Sequence, residues 1–386
     1  MRGRDLRLVP VAAAAWAGAG AAVMLPQSAR WVAVGLWAAA LAFVALTARP
    51  RARRRTAQAL VAVGLAVAAA AASHVALSEP ARAAAAHLAI GGGRAIAVHA
   101  VVVGKADRTA SGDAAFDARA DEIDIGLRQV RVAVPVVIRA RTQPDVGARV
   151  VASGTAFPAG AGERAVLVVR AGRGLEIVAP PRGVVAVAAR LRHGLAAATG
   201  GLPQPAAGLI PGLAVGDTDA VSAELDAAMK ASSLSHLTAV SGANCAIVVG
   251  LAFGAAALCG ARRGVRVAAG GVALAGFVLL VTPEPSVVRA AVMAAIAMLG
   301  VLLGRLGAGV SLLSSAVVVA LVADPWLAVS MGFALSAAAT GALLVLAAPL
   351  ARGMARRLPR VIALGVAVPL AAQLVCAPLL ILINPT

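Results

Sequence analysis

Apolar runs of 17 residues or more recur along this 386-residue chain, and short arginine-rich segments separate many of them. A helical run of that length, rising 1.5 Å per residue, covers most of a hydrocarbon core about 30 Å thick. Inside lipid every backbone N–H and C=O must be satisfied within the protein, which leaves helices and closed barrels as solutions. Uninterrupted apolar runs select helices. The composition agrees, with 61% hydrophobic residues, 13% charged residues and a mean hydropathy of +0.89, well outside the range of soluble domains. The chain reads as a polytopic α-helical membrane protein.

The loops orient the spans. Leu8–Leu25 and Trp31–Thr47 are the first two, and Ala57–Leu77 is the third. Arg49, Arg51, Arg53, Arg54 and Arg55 lie before the third span, and five arginines in seven residues place that loop in the cytoplasm. The N-terminus, with Arg2, Arg4 and Arg7, is then also inside. Its first apolar run has the look of a signal peptide, but a second run follows almost at once, so it is read as a span. The later spans are Leu234–Leu258, Val267–Val281, Val287–Leu303, Val310–Val322, Leu327–Ala348 and Val361–Ile383. Their basic loops (Arg262, Arg263 and Arg266; Arg305; Arg352, Arg356, Arg357 and Arg360) all fall on the inner side. About nine transmembrane helices result, and residues 1–80 form the N-terminal helical region. Most of the formal net charge of +18 is accounted for by topology rather than by nucleic acid.

Between residues 81 and 181 the pattern changes. Short alternating segments, Ala95–Val103, Glu122–Ile138, Ala148–Phe157 and Ala165–Val178, are broken by turns at Pro144-Asp145 and Gly172. Val- and Ile-rich alternation of this kind predicts a small antiparallel β-domain. Five or so strands in about 100 residues suit a compact barrel such as an OB-fold, placed outside the membrane because the third span ends there. Ala106–Asp121 is polar and reads as a turn. From Arg94 to Arg182 there are 13 basic and 9 acidic residues, with Phe116 and Phe157 as the aromatic residues. Single-strand binding relies on aromatic stacking platforms, so charge is the stronger of the two possible bases for nucleic-acid contact here.

Residues 182–232 read as an interfacial and re-entrant segment. Arg182, Arg190, Arg192 and His193 mix with apolar residues at helical spacing, as in a helix lying in the interface. Gly208–Val215 is too short to span, and its Gly and Pro interruptions suggest a re-entrant or broken segment. Ser222 is a good N-cap for a helix over Ala223–Ala231. Asp217 is a pathway candidate, although a loop position also explains it.

Residues 233–386 hold the remaining spans, and Leu234–Gly254 is their unusual member. Its first turns carry Ser235, His236, Thr238, Ser241 and Asn244, and polar groups at membrane depth must face protein or a water-filled cavity. On one helix His236 and Ser241 are separated by about 140°, so they cannot act as a nucleophile and base. Ser241 and Asn244 share a face, and Gly242 lets another backbone approach. Arg289 stands about one turn into its span, where mid-bilayer burial would cost about 2.5–3.5 kcal/mol. Snorkelling to the interface is the alternative. Gln373, with Pro378, is a polar feature expected to face the bundle interior.

Catalytic and metal signatures are missing from the sequence. There is no Walker-type loop. The five histidines have no metallohydrolase spacing, and Cys245, Cys259 and Cys376 form neither a CxxC motif nor an even set. No cofactor, metal or enzymatic activity is expected.

The order of these features, and the run GLIPGLAVGDTDAVSAELDAAMKASSLSHLTAVSGANCAIVVG, resemble the ComEC-type competence proteins, inner-membrane channels for DNA uptake. Further matches are Pro285-Ser286-Val287-Val288-Arg289-Ala290 with Met293, Gly304-Arg305, Asp324-Pro325-Trp326, Gly332-Phe333-Ala334-Leu335-Ser336, and Gln373 with Pro378. The resemblance implies transport of single-stranded DNA inward across the bacterial cytoplasmic membrane, driven by a separate motor among the competence-machinery proteins. It places His236, Ser241, Gly242, Asn244, Arg289, Asp217 and Gln373 along the channel or DNA pathway. Asn244 stands where many relatives have histidine. Relatives usually continue through further spans, often into a β-lactamase-like domain, so a truncated chain or one completed by a second chain is expected. The competing readings are a small-molecule or ion transporter and a non-transporting assembly subunit.

Overall fold

Each apolar stretch read as a span is mostly helical where it falls within the described residues of the computed structural model: 5–47, 55–88, 95–108, 113–232, 242–281, 285–302 and 309–383. The helices before the sheet are α1 (Val9–Met24), α2 (Ala29–Thr47) and α3 (Arg55–Leu88). Those after it are α4 (Gly183–Thr199), α5 (Ala206–Val215), α6 (Ala223–Ala231), α7 (Gly242–Leu258), α8 (Arg263–Val281), α9 (Pro285–Leu302), α10 (Gly309–Ala323), α11 (Met331–Ala342), α12 (Ala348–Met354) and α13 (Arg360–Ile383). Among the described residues, five segments are long and apolar enough to cross a membrane: Pro26–Thr47, Thr56–Leu88, Arg263–Val281, Met331–Met354 and Arg360–Ile381. Helices such as α1, with 16 residues, and α10, with 15, reach only about 24 Å at 1.5 Å per residue. By length, therefore, five of the nine expected spans qualify.

The chain divides into two compact units, Met1–Glu79 with Ala295–Thr386, and Pro80–Ala294. In the first, α1 presents a stripe of small residues. Ala12, Ala15 and Ala19 pack with Ala71, Val317, Ala320, Leu321 and Phe333. Small side chains let backbones approach closely, which is how helices associate when lipid offers no hydrophobic drive. The approach is tightest at Gly18, where a Cβ would lie 2.7 Å from that of Ala68. Polar atoms inside this cluster are paired. Trp16 stacks at 4.9 Å on Phe333 and its Nε1 donates to the Ala328 carbonyl at 2.9 Å, while Ser311 Oγ donates to the Asp5 carbonyl at 2.8 Å. At the expected Asp324-Pro325-Trp326 turn, Asp324 caps a short 3-10 helix by accepting from Trp326 N at 3.2 Å.

The second unit holds the sheet: β1 (Ala95–Val102), β2 (Asp107–Arg108), β3 (Ala114–Ile125), β4 (Arg128–Ala140), β5 (Arg149–Pro158) and β6 (Leu167–Ala179). The strand order is β1-β5-β6-β4-β3-β2, and a further β1–β3 pairing closes the five long strands into a ring. All pairs are antiparallel except β4–β6. Inside lie Val98, Phe116, Ile123, Val136, Ile138, Val150, Leu167 and Val169.

Two expectations change here. Glu122–Ile138 is not one strand: the chain reverses between β3 and β4 at Gly126, whose φ of +64° suits glycine. The polar stretch 106–121 is largely strand, because Ala114, Phe116, Ala118 and Ala120 point inward while Asp117 and Arg119 point out. The start of the β-domain differs as well. Residues 81–88 continue α3 through Pro80, and Ala85 is fully buried in the barrel core.

Candidate functional site

The sequence candidates fall in two places within the Pro80–Ala294 unit, and Gln373 falls in the other unit. The first place is the end of α5. Gly216 caps that helix in the left-handed conformation, φ +73°, and Asp217 N donates back to the Pro211 carbonyl at 3.2 Å. Gly216 N also donates to the Gly212 carbonyl at 3.0 Å, the bond of an αL-type stop, and the glycine at 216 supplies the left-handed residue it needs. The following loop crosses α5 at Gly208, where a Cβ would sit 2.5 Å from the Ala220 carbonyl oxygen. Asp217 Oδ1 accepts from Asp219 N at 3.1 Å, so the Asp217 carboxylate is held by a short turn. Ser222 then caps α6 as expected, accepting from Leu225 N at 3.3 Å.

These acids line an open pocket of about 130 Å³ with Lys105, Gln143, Asp145, Arg192 and His193. Lys105 Nζ donates to the Gly216 carbonyl. Gln143, with its amide nitrogen turned toward Asp219, donates to both carboxylate oxygens at 2.7 and 3.2 Å. Asp145 Oδ1 faces His193 Nε2 at 3.3 Å and Arg192 Nη2 at 3.8 Å.

The interfacial-helix expectation fails for Arg192, which is only 8% exposed. Its Nη1 donates to the Leu280 carbonyl at 3.1 Å, and a buried guanidinium needs such partners. Burial lowers its pKa from the ordinary arginine value, while the Asp145 and then Asp217 carboxylates act in the opposite sense. Strand-connecting loops of the barrel are thus tied to α4, and Lys105 reaches the end of α5. Positive and negative groups meet in pairs, which makes the cluster a latch. Among the described residues no group of three His, Cys, Asp or Glu side chains could hold a metal ion.

The second place lies where α7 meets α9. A Cβ on Gly242 would touch that of Ala290 at 3.4 Å, so the start of α7 lies beside Arg289-Ala290. Asn244 and Arg289 are both half-buried. Arg289 Nε is enclosed and has no hydrogen-bond partner among the described residues. A guanidinium with an unused donor is chemically suited to an oxyanion, phosphate above all. The structure thus brings Gly242 against Ala290, next in the chain to Arg289. His236 and Ser241 lie outside the described residues. Gln373 is exposed on α13, in contrast to the expected interior position.

Residues 213–384 match the family model described as Competence protein. This region is similar to the Competence domain. It begins beside Gly216 and Asp217 and takes in α6 to α13 with both Gly242 and Arg289. The barrel and α4 precede the matched residues in the chain, so the latch joins residues before the match to residues within it. No curated protein and no solved structure matches the chain.

The latch residues Lys105, Gln143 and Asp145 escaped the sequence reading as site residues. They are far from Asp217 and Asp219 in the chain, and no spacing rule connects them. Arg192 offered the one local signal, as a charge on an apolar helix.

Proposed function

We propose that this membrane protein forms a conduit for single-stranded DNA, moving it inward across the bacterial cytoplasmic membrane in natural transformation. The Competence match over residues 213–384 carries the reading. The partnerless Nε of Arg289, beside the close α7–α9 approach, supports it as a phosphate contact. In this reading His236, Ser241 and Asn244 line the path from the start of α7.

The conduit works without enzymatic chemistry of its own, and a separate motor among the competence-machinery proteins supplies the work. The barrel faces outward as an OB-fold, supported by its closed five-strand ring with one parallel pair. Its polar latch would then hold it against the conduit domain.

The test is uptake of labelled DNA in a strain from which the gene is deleted. DNA should still bind the cell surface and no longer reach the cytoplasm. Unchanged uptake and transformation in the deletion strain would refute the assignment.

A further inference from the structure

We propose that the corner between α12 and α13 binds the phosphate of an anionic phospholipid headgroup. Arg352 lies in the last turn of α12, Arg356 in the turn that follows, and Arg360 opens α13. Spaced four residues apart, they line a single groove of about 420 Å³ with Ala351, Ala355 and Leu364. No carboxylate lines it. Three guanidinium groups gathered in one groove repel each other within a Debye length of about 8 Å, and an anion seated among them relieves that repulsion.

Depth and lining identify the anion's source. The groove sits between two candidate membrane spans, at the end of Met331–Met354 and the start of Arg360–Ile381. That is the level of the headgroups if both segments cross the bilayer. Its apolar wall runs into the exposed side of α13, where Val361, Ile362 and Leu364 are 84%, 51% and 57% exposed. A phospholipid meets both halves of this surface, its phosphate against the arginines and its acyl chains along α13. Basic pockets between membrane helices take anionic headgroups by this chemistry. A DNA strand would bring bases that stack on aromatic rings, and no aromatic residue lines the groove.

The full chain, purified in detergent, is titrated with phosphatidylglycerol and with phosphatidylcholine of the same acyl chains, and bound lipid is counted by native mass spectrometry. Phosphatidylglycerol should be retained in preference to phosphatidylcholine. Each arginine near a lipid surface is worth about a factor of five, so R352Q/R356Q/R360Q should weaken phosphatidylglycerol binding about a hundredfold, and R356Q alone about fivefold. The single variant keeps the test valid if the triple one does not fold. R262Q/R263Q, which removes charge from the α7–α8 loop, should change binding little. Equal retention of the two lipids, or an equal loss in R262Q/R263Q, would overturn the proposal. Displacement of the lipid by inorganic phosphate at matched concentration would make this a free-phosphate site, and displacement by a single-stranded oligonucleotide would make it a nucleic-acid site. Either result would overturn the lipid assignment.

Discussion

Replacing glycine with alanine at two helical positions should move stability in opposite directions. At Gly208 in α5 a new Cβ would fall 2.5 Å from the Ala220 carbonyl oxygen, 2.8 Å from its carbon and 2.9 Å from Val221 Cα. All three neighbours are backbone, so no side chain can rotate away. Overpacking of this sort costs about 1–3 kcal/mol. Alanine recovers about 0.5–1 kcal/mol of helix propensity over glycine, which leaves Gly208→Ala destabilised by about 1–2 kcal/mol, a factor of roughly 5–30. At Gly194 in α4 no atom lies within 4 Å of the added Cβ, so only the propensity gain remains.

Thermal unfolding of the two purified variants in one detergent measures the contrast. For a unit of this size roughly 2–4 °C accompany each kcal/mol, so Gly208→Ala should melt a few degrees below the parent and Gly194→Ala slightly above it. Limited proteolysis should also open the Asp217–Val221 loop in the first variant. If Gly208→Ala melts at or above the parent temperature, the close crossing of α5 and that loop does not exist as described.

Three further outcomes are expected. Arg289→Ala should lower DNA uptake about tenfold or more, taking a charged hydrogen bond as about 1.5–3 kcal/mol, while immunoblots show unchanged protein in the membrane; normal uptake would leave the arginine a snorkelling residue. Arg192→Met strands the Leu280 carbonyl and weakens the hold on Asp145, costing about 1–3 kcal/mol, whereas His193→Gln at an exposed site should cost under about 1 kcal/mol; the same melting assay ranks them. Segment 81–181 should bind single-stranded oligonucleotides weakly, with a logarithm of affinity that falls linearly with the logarithm of salt. Phe116 lies in the core, 2% exposed, so of the two barrel phenylalanines Phe157 alone is placed to stack; tight, salt-insensitive binding in an anisotropy titration would contradict this.

The helices were legible because lipid imposes a simple rule, and most of their described ends fall within a few residues of the apolar runs, while α3 runs on to Leu88, well past its expected end at Leu77. Ser222 as a cap, with α6 at Ala223–Ala231, follows from hydroxyl-to-backbone chemistry that needs no distant partner. Strand β3 was not legible. Its inward positions are mostly alanine, a poor strand former, so alternation with Asp, Arg and Glu passed for a polar turn. The continuation of α3 past Pro80 was missed for another reason. A mid-helix proline usually kinks or breaks a helix, and the burial of Ala85 in the barrel core is a tertiary contact that no local rule supplies. The approach of Gly242 to Ala290, next in the chain to Arg289, was half visible, since Gly242 and Arg289 each stood out alone while the contact depends on how α7 and α9 pack.

The closed ring of strands limits what the barrel can do with a partner. Its five long strands close a ring, but the β4–β6 ladder is only Val136–Arg139 against Leu167–Arg170, so residues 128–135 of β4 and 171–179 of β6 have a strand on one side only. Strand addition, a common way for sheets to capture extended chains, is therefore confined to these two short stretches. Elsewhere the barrel must hold a partner through side chains and connecting loops. The same closure guards against edge-to-edge aggregation while the rest of the protein is being inserted.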